Sequence, residues 1–302
     1  MQLNFEPLTI EHLEALSKLV PAHGTGDCNL SPVSLLAYAE KKEISIAFIG
    51  SDAILYWKPE TYCTKKAYTL LGNHCLSCSI KALEMHCQDE TLPLYGVFPK
   101  LTDDIIQWSH YRCFDMNTDS AGWDYLYDRT TMSELLGRKL HGKRNFVKRF
   151  WAAFPEAKLL PINQETIGLC RTFLGQWYAN YDKMDESLVA ESQAINFAFD
   201  HFEALNLKGA LLVNDATVLG FTYGSTVAPG IFAVHIEKAS RDAIGSYPAL
   251  TQAFAQTLPD EIHTINREED LGIVGLRKAK QDWSPSGMVR KGFLTLHPEQ
   301  KL

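Results

Sequence analysis

Residues that can move a proton are concentrated in two short segments of the C-terminal half. In the first, His235 and Glu237 alternate with apolar residues within Ile231–Lys238, so strand geometry predicts that both side chains lie on one face of a β-strand. If this strand is central in its sheet and covered on both sides, partial desolvation makes Glu237 a better proton acceptor. We therefore predict catalytic roles for Glu237 and His235; the alternative is a solvent-facing sheet.

The second segment carries consecutive polar residues at the carboxyl end of another predicted strand. Alternation places Asn266 and Glu268 on one face and Arg267 on the other. Such residues are costly to bury unless they are paired or line a cleft, and ligands of open α/β sheets collect at strand C-termini. We predict Glu268 as the second candidate base, Arg267 or strand amides as the oxyanion stabiliser, and Asn266 as their neighbour. The alternative is a structural ion-pair network of Arg267, Glu269 and Arg277 that locks the following helix to this strand.

A predicted helix follows this strand, and its cations are candidates for holding a phosphate. Arg277 and Lys280 lie about one turn apart within Val274–Asp282, and Gly272 and Gly275 allow close packing before them. These residues fit a scaffold that shapes the cleft as readily as they fit donor binding.

A helix start between the two segments is a candidate anion site. Gly245 permits close backbone approach, Ser246 can cap, and Pro248 suits the first helical turn. Free N–H groups of Ser246 and Tyr247 would suit a pyrophosphate or the 3′ end of a tRNA. The alternative interpretation is ordinary capping.

The basic segment Arg138–Arg149 holds six Lys or Arg residues and no acid in a chain of net charge −7. We predict that Lys139, Lys143 and Arg144 hold donor phosphates or an RNA backbone. The segment also carries aromatic residues at helical spacing, predicting an inward face made of Phe146, Phe150 and Phe154. The alternative is a solvated helix that merely joins two domains.

Length and composition limit the class of protein. The chain has 302 residues, 46% of them hydrophobic and 22% charged, which is typical of a globular protein of two domains. Its acidity argues against a general nucleic-acid coat, so no DNA partner is expected. No apolar run reaches the ~18–20 residues of a membrane helix, and the N-terminus lacks the basic residues of a signal peptide. We therefore expect a cytoplasmic protein.

The seven cysteines predict reduced thiols without a metal. Cys75 and Cys78 form one CxxC pair near His74, but no second pair completes a tetrahedral zinc site. An apolar stripe on the following predicted helix favours buried, unligated thiols.

Helical and strand patterns alternate along both halves, with an early hairpin in each. This order predicts an α/β (mixed α+β) protein built from two lobes. The expected ranges are residues 1–137 for the first lobe, 138–160 for a basic connecting helix and 161–302 for the second lobe. A strand at Val289–Leu296 is expected to complete the second lobe.

Three stretches, Trp123–Phe150, Val234–Ala239 and Ile265–Pro285, resemble the soluble family related to the C-terminal domain of phosphatidylglycerol lysyltransferase. The resemblance covers most of the chain and implies two tandem GNAT-like acyltransferase lobes. It is distantly similar to the Fem-type peptidyltransferases, which take aminoacyl groups from tRNA. The usual GNAT pyrophosphate loop is imperfect here, because Arg241 stands four residues before Gly245 and Tyr247 occupies a small-residue position.

The resemblance implies a transferase that uses an aminoacyl-tRNA or acyl-CoA donor and an amine or hydroxyl acceptor, by direct attack in a ternary complex. No tightly bound cofactor is expected, and the sequence leaves the oligomeric state open. Without the membrane-spanning half of the lysyltransferases, an acceptor other than phosphatidylglycerol is expected. The alternatives are an acetyl-CoA-dependent N-acetyltransferase acting on a small amine and a non-catalytic ligand-binding protein on the same fold.

Overall fold

The computed structural model describes residues 3–59, 66–72, 76–87, 91–108, 114–181 and 183–297. The chain forms two compact units. One comprises residues 1–123 and 289–302, and the other comprises residues 124–288.

The first unit is built on a seven-stranded sheet in the order β1-β2-β3-β4-β5-β14-β6, antiparallel except for the parallel pair β4 and β5. Its strands are β1 (Glu6–Pro7), β2 (Ser45–Ile49), β3 (Asp52–Trp57), β4 (Ala67–Leu71), β5 (Leu92–Val97), β6 (Phe114–Asn117) and β14 (Lys291–Leu296). Its helices are α1 (Leu13–His23), α2 (Pro32–Ala37), α3 (Leu76–Cys87) and α4 (Lys100–Trp108).

The second unit has a seven-stranded sheet in the order β13-β7-β12-β11-β10-β9-β8. Its strands are β7 (Asp124–Asp128), β8 (Ala157–Pro161), β9 (Lys208–Asn214), β10 (Thr217–Ala228), β11 (Ile231–Ala239), β12 (Thr264–Asn266) and β13 (Gly287–Val289). Its helices are α5 (Arg129–Glu134), α6 (His141–Ala153), α7 (Ile167–Tyr178), α8 (Glu186–Asp200), α9 (Ser246–Thr257) and α10 (Val274–Gln281).

Each sheet contains a strand that lies outside the range expected for its lobe. The strand expected at Val289–Leu296 begins at Lys291, and it pairs with β5 and β6 in the first unit, not with the second sheet. Strand β7 lies before the expected boundary but pairs with β12 in the second unit. Hydrogen bonding between strands distant in sequence therefore defines the units, and the order of elements along the chain does not show it.

Helices α2 and α8 begin at residues that cap them through their side chains. Ser31 accepts from the N–H of Ser34 at the start of α2, with Pro32 in the first turn. Asp185 caps α8 by accepting from Leu188 N–H at 2.8 Å. Each cap satisfies one of the amides that a helix start leaves without a partner.

The basic helix buries one of its predicted aromatic residues and exposes another. Phe150 is fully buried, but Phe146 is 45% exposed, and Val147 occupies the inward position instead. The expectation of an aromatic face inward is therefore wrong at Phe146. Four residues turn an α-helix by about 400°, about 40° more than a full turn, so residues at this spacing drift around the helix and do not all stay on the buried face.

The cysteines differ in part from the reduced thiols expected. Cys28, Cys87 and Cys170 are buried thiols, whereas Cys78 is disulfide-bonded. Cys75 and His74, the other members of the zinc site considered from the sequence, lie outside the described residues. Among the helices that the structure describes, none is long and apolar enough to cross a bilayer.

A buried ion pair lies within the core of the first unit. The Lys291 ammonium contacts Asp27 Oδ1 at 3.0 Å, and both side chains are almost completely buried. Asp27 also accepts from the Tyr95 hydroxyl at 2.9 Å and from Asn29 N–H at 2.9 Å. Burying two charges is costly, so removing one partner leaves an uncompensated charge in the core.

Lys291→Met is therefore expected to lower the free energy of unfolding by about 3–5 kcal/mol, because the Asp27 carboxylate loses its counter-ion. Urea unfolding followed by circular dichroism measures the change. Lys58→Met is the matched control, since Lys58 and Glu43 form an exposed pair and should leave the unfolding midpoint unchanged. An unchanged midpoint in Lys291→Met would mean that the buried pair does not stabilise this unit.

Candidate active site

The centre of the second sheet is irregular at His235. Tyr223 pairs with Ile236, whereas the next residue, Gly224, pairs with Val234, so His235 has no partner on β10. This extra residue is a β-bulge, which redirects the side chains that follow it.

The bulge places His235 and Glu237 on opposite faces of the sheet. Glu237 accepts from Thr251 of α9, whereas His235 contacts Ser225 on the face of β10 that packs against α8. The expectation that the two residues share a face is therefore wrong, because simple alternation holds only along a strand without an inserted residue.

Next to the bulge the sheet opens. The parallel strands β11 and β12 are in register over three residue pairs, from Ile231–Thr264 to Ala233–Asn266. Beyond Ala233 no further pair joins these two strands, so one edge of β11 presents its backbone at the position of His235. An opening between parallel strands, at their carboxyl ends, is where ligands of α/β sheets bind.

On the α9 side of the opening, Glu237 forms a partly buried ion pair with Arg267 (2.9 Å; side chains 10% and 16% exposed). Its second oxygen accepts from the Thr251 hydroxyl at 2.9 Å. Both carboxylate oxygens are therefore engaged. A carboxylate held in this way is well suited to fixing Arg267 and poorly placed to accept a substrate proton.

Lys143 joins this cluster through an indole ring. Its ammonium lies 5.3 Å from the centre of the Trp283 ring, and the Arg267 guanidinium lies 5.6 Å from the same ring. Burial lowers the pKa of Lys143 and the Arg267 charge lowers it further, while Asp282 and Glu237 oppose the shift. Two cations thus share one aromatic side chain.

On the other side of the opening, three side chains form a hydrogen-bonded row. Ser225 Oγ lies 2.8 Å from His235 Nε2, and His235 Nδ1 lies 2.9 Å from Glu268 Oε1. Ser225 is buried, and the side chains of His235 and Glu268 are 6% and 27% exposed. The arrangement is that of a nucleophile, a base and an orienting carboxylate.

Hydrogen bonds between its backbone and other residues hold Glu268 in place. Asn266 Oδ1 accepts from Glu268 N–H at 2.7 Å, and Asn266 Nδ2 donates to buried Asp124 at 2.9 Å. The φ angle of Glu268 is 60°, a left-handed conformation that is unfavourable for a residue with a side chain. The buried Lys280 ammonium donates to the carbonyls of Arg267 and Glu268. Lys280 therefore holds this turn and is not exposed to a donor phosphate.

Arg277 is also engaged within the fold. Its guanidinium binds both oxygens of Asp270, at 2.8 and 3.0 Å, and Asp270 also accepts from the Tyr125 hydroxyl at 2.7 Å. The bond from Arg277 is the largest cause that lowers the pKa of Asp270 from 3.8 to about 2, and the bond from Tyr125 adds to it, although burial opposes the shift. Arg277 thus lies in an ion pair, as in the structural alternative considered from the sequence.

The basic segment divides into structural and exposed residues. Arg144 donates to the carbonyls of Leu135 and Gly137 and so closes the turn after α5. Lys139 is exposed. The other exposed Lys and Arg residues of the segment are Arg138, Lys148 and Arg149.

The start of α9 offers little space for an anion. Gly245 precedes the helix with φ 91°, and a Cβ at this position would lie 2.5 Å from the Phe146 carbonyl oxygen of α6. Ser246 N–H already donates to Ala243, and its hydroxyl donates to Ser240. Pro248 has no N–H, which leaves Tyr247 as the donor of the first turn.

Sequence reasoning missed Ser225, Trp283 and Thr251. Counting outward from the turn at Pro229–Gly230 places Ser225 close to His235 on the neighbouring strand, so hairpin register carried a signal for this contact. Trp283 and Thr251 had no such signal, because their contacts join elements distant in sequence.

Comparison with known proteins places the chain among transferases. The pattern of the family described as phosphatidylglycerol lysyltransferase, C-terminal, matches residues 32–291. None of the curated protein sequences matches the chain significantly. A conserved protein of unknown function from Bacteroides thetaiotaomicron is 26% identical, with a TM-score of 0.88 over 98% of this chain and 100% of that one.

More distant structures share the fold. The C-terminal domain of a putative lysylphosphatidylglycerol synthetase from Agrobacterium fabrum has a TM-score of 0.61 at 15% identity, over 95% of this chain and 92% of that one. FemX has a TM-score of 0.55 at 8% identity, over 96% of each chain. The expected mixed α/β fold of two lobes is confirmed, because each compact unit has its own seven-stranded sheet with helices.

The Asp270 pair gives the second unit a pH-dependent stability. Because the pKa of Asp270 is lower in the folded than in the unfolded chain, its stabilisation is present above about pH 4 and is lost as the pH falls towards 2. Asp270→Asn should therefore cost about 2 kcal/mol at pH 7 and much less near pH 2. Urea unfolding at several pH values in this range measures the difference in the free energy of unfolding between the wild type and Asp270→Asn. Asp260→Asn, which removes an exposed partner of Arg129, is the control, and its difference from the wild type in the free energy of unfolding should not change with pH. If the difference for Asp270→Asn stayed constant with pH, the Asp270 carboxylate would not be the source of the pH-dependent stability.

Proposed function

Because the chain belongs to the family of phosphatidylglycerol lysyltransferase C-terminal domains, we propose that it moves an aminoacyl group from an aminoacyl-tRNA to an amine or hydroxyl acceptor. Family and fold point to an acyl- or aminoacyl-transferase of the GNAT-like type. The observation that carries the proposal is the opening between β11 and β12, which has the His235–Glu268 pair beside it.

The α9 start favours a donor other than a CoA thioester. A pyrophosphate bound at a helix N-terminus needs several free amides and room for two phosphates. Here the α6 backbone packs against Gly245, and Ser246 N–H is already paired within the chain. A CoA pyrophosphate would thus find little of its usual binding site.

The exposed cations of α6 and the turn before it favour a polyanion. Arg138, Lys139, Lys148 and Arg149 are exposed, and no acid lies within the segment. Such a surface gains from releasing counter-ions along an RNA backbone. The same helix contacts the α9 start through Phe146, so a bound tRNA would lie close to the second sheet.

The chemistry follows from the two sides of the opening. Backbone amides on the unpaired edge of β11 polarise the acyl carbonyl and stabilise the oxyanion. His235, oriented by Glu268, accepts the proton of the nucleophile. Glu237 holds Arg267 in place beside Trp283 and Lys143, where the two cations meet the phosphates next to the terminal ribose.

Exchanging the exposed cations for acids is expected to separate the two donor classes. The variant Lys139→Glu, Lys148→Glu, Arg149→Glu should bind total aminoacyl-tRNA at least 10-fold more weakly, with a salt dependence shallower by about 2–3 units of slope, because phosphate contacts are lost. Fluorescence anisotropy over a series of KCl concentrations measures both. The matched control is Lys18→Glu, Lys81→Glu, Lys183→Glu, which changes the net charge equally at exposed sites of other elements.

Calorimetry with acetyl-CoA completes this test, and no heat of binding is expected. Heat with acetyl-CoA, together with equal tRNA binding by both charge variants, would instead support an N-acetyltransferase acting on a small amine. Tight tRNA binding without loss of the aminoacyl group would support a non-catalytic binding protein.

The two candidate bases differ in their expected contribution to turnover. Glu268→Gln should slow deacylation of radiolabelled aminoacyl-tRNA, in the presence of glycerol or simple primary amines, by about 10²–10⁴-fold. Donor binding should stay unchanged, because the substitution keeps the side-chain volume. Glu237→Gln should cost less, since its carboxylate orients Arg267 and does not accept the proton. A larger loss in Glu237→Gln would return the role of base to Glu237, as the sequence predicted.

A further inference from the structure

In the row Ser225, His235 and Glu268, the carboxylate determines which ring nitrogen of His235 carries the proton. An ionised carboxylate only accepts hydrogen bonds, so Nδ1 of His235 carries the proton that faces Glu268. Nε2 of the neutral ring then has a free electron pair, and it accepts from the Ser225 hydroxyl at 2.8 Å. This is the tautomer that a base needs in order to activate a serine.

Ser225 differs from a neighbouring hydroxyl of the same strand. The Thr222 hydroxyl donates to the Ile236 carbonyl, the usual way in which a buried hydroxyl in a strand is satisfied. Ser225 instead bonds the imidazole, and this is the hydrogen bond that the structure gives its side chain. The bulge at His235 brings the ring to this position.

The Glu268 carboxylate, which orients His235, stands on a strained backbone. Glu268 keeps a left-handed backbone because its N–H donates to Asn266 Oδ1 and its carbonyl accepts from the Lys280 ammonium and from Tyr125 N–H, the last at 3.0 Å. Strain that surrounding contacts maintain is typical of functional sites. The turn fixes the carboxylate against His235 more firmly than a surface glutamate would be fixed.

We propose that Ser225 is a nucleophile that carries the acyl group as a covalent acyl-serine. This inference rests on the proposed acyl transfer and replaces direct attack by two steps. In the first, Ser225 Oγ bonds to the acyl carbon and its proton passes to His235 Nε2. The bond from the acyl carbon to the ribose oxygen of the donor breaks, and that oxygen takes the proton from His235.

The second step returns the enzyme to its starting state. The amine or hydroxyl of the acceptor attacks the acyl-serine carbonyl and gives its proton to His235. The ester bond to Ser225 breaks, and Oγ recovers the proton from Nε2. No oxidant, reductant or metal takes part, and Glu268 keeps its charge throughout.

The test uses p-nitrophenyl acetate, an activated ester that needs no tRNA. The unaltered 302-residue chain should release about one equivalent of p-nitrophenolate per chain in a burst, and mass spectrometry of its peptides should place one acetyl group on Ser225. Ser225→Ala should show no burst, and its rate of acetylation by the ester should fall by at least 10³-fold. Thr226→Ala is the matched control, since Thr226 is the next residue of β10 and is exposed.

A second variant guards against misfolding. Ser225→Cys keeps a nucleophile beside His235, and it should be acetylated at Cys while its melting temperature stays close to that of the wild type. An acetyl group found elsewhere than on Ser225 in the wild type, or a burst that survives in Ser225→Ala, would overturn the inference.

Aminoacyl-tRNA turnover separates this inference from the proposed function. If Ser225→Ala turns over aminoacyl-tRNA at the wild-type rate while Glu268→Gln does not, transfer proceeds by direct attack and the acyl-serine is excluded. If wild-type chain forms the acyl-serine with p-nitrophenyl acetate yet leaves aminoacyl-tRNA intact, the nucleophile stands and the donor assignment fails.

Discussion

The turn that ends β12 sets the geometry of the whole candidate site. At Glu268 the chain takes a left-handed conformation, which Asn266, Tyr125 and Lys280 hold through hydrogen bonds to its backbone. This turn stops the pairing of β12 with β11 after Asn266 and so opens the sheet beside His235. It also directs Glu268 to one face and Arg267 to the other, so both clusters depend on one strained residue.

The two faces use their charges differently. On the α9 face, Glu237 and Arg267 neutralise each other, and the Thr251 hydroxyl takes the remaining carboxylate oxygen. On the opposite face, Glu268 is partly exposed and its charge bears on an imidazole. The partly buried Glu237–Arg267 pair resists change, because breaking it leaves a charge without its partner, whereas the Glu268 carboxylate orients the imidazole ring. The bulge at His235 separates these two environments.

The sequence predicted one part of the site geometry correctly. Alternation along β12 placed Asn266 and Glu268 on one face and Arg267 on the other, as found, because no residue is inserted there. Alternation along β11 failed, because the bulge inserts His235 without altering the hydrophobic pattern. The cations Arg277, Lys280 and Arg144 could not be told apart from donor-binding residues in the sequence, since their carboxylate and carbonyl partners lie in other parts of the fold.

The sequence by itself determined the fold class, the family and the segments in which the reactive residues lie. Periodicity, capping residues and the motif at Ile265–Pro285 are local properties, and local properties can be counted along a chain. The tertiary structure alone decided which strand completes each sheet, which cations are engaged, and that Ser225 meets His235 and Glu268. Those contacts depend on strand register and on one inserted residue, and a shift of a single position moves every later side chain to the opposite face.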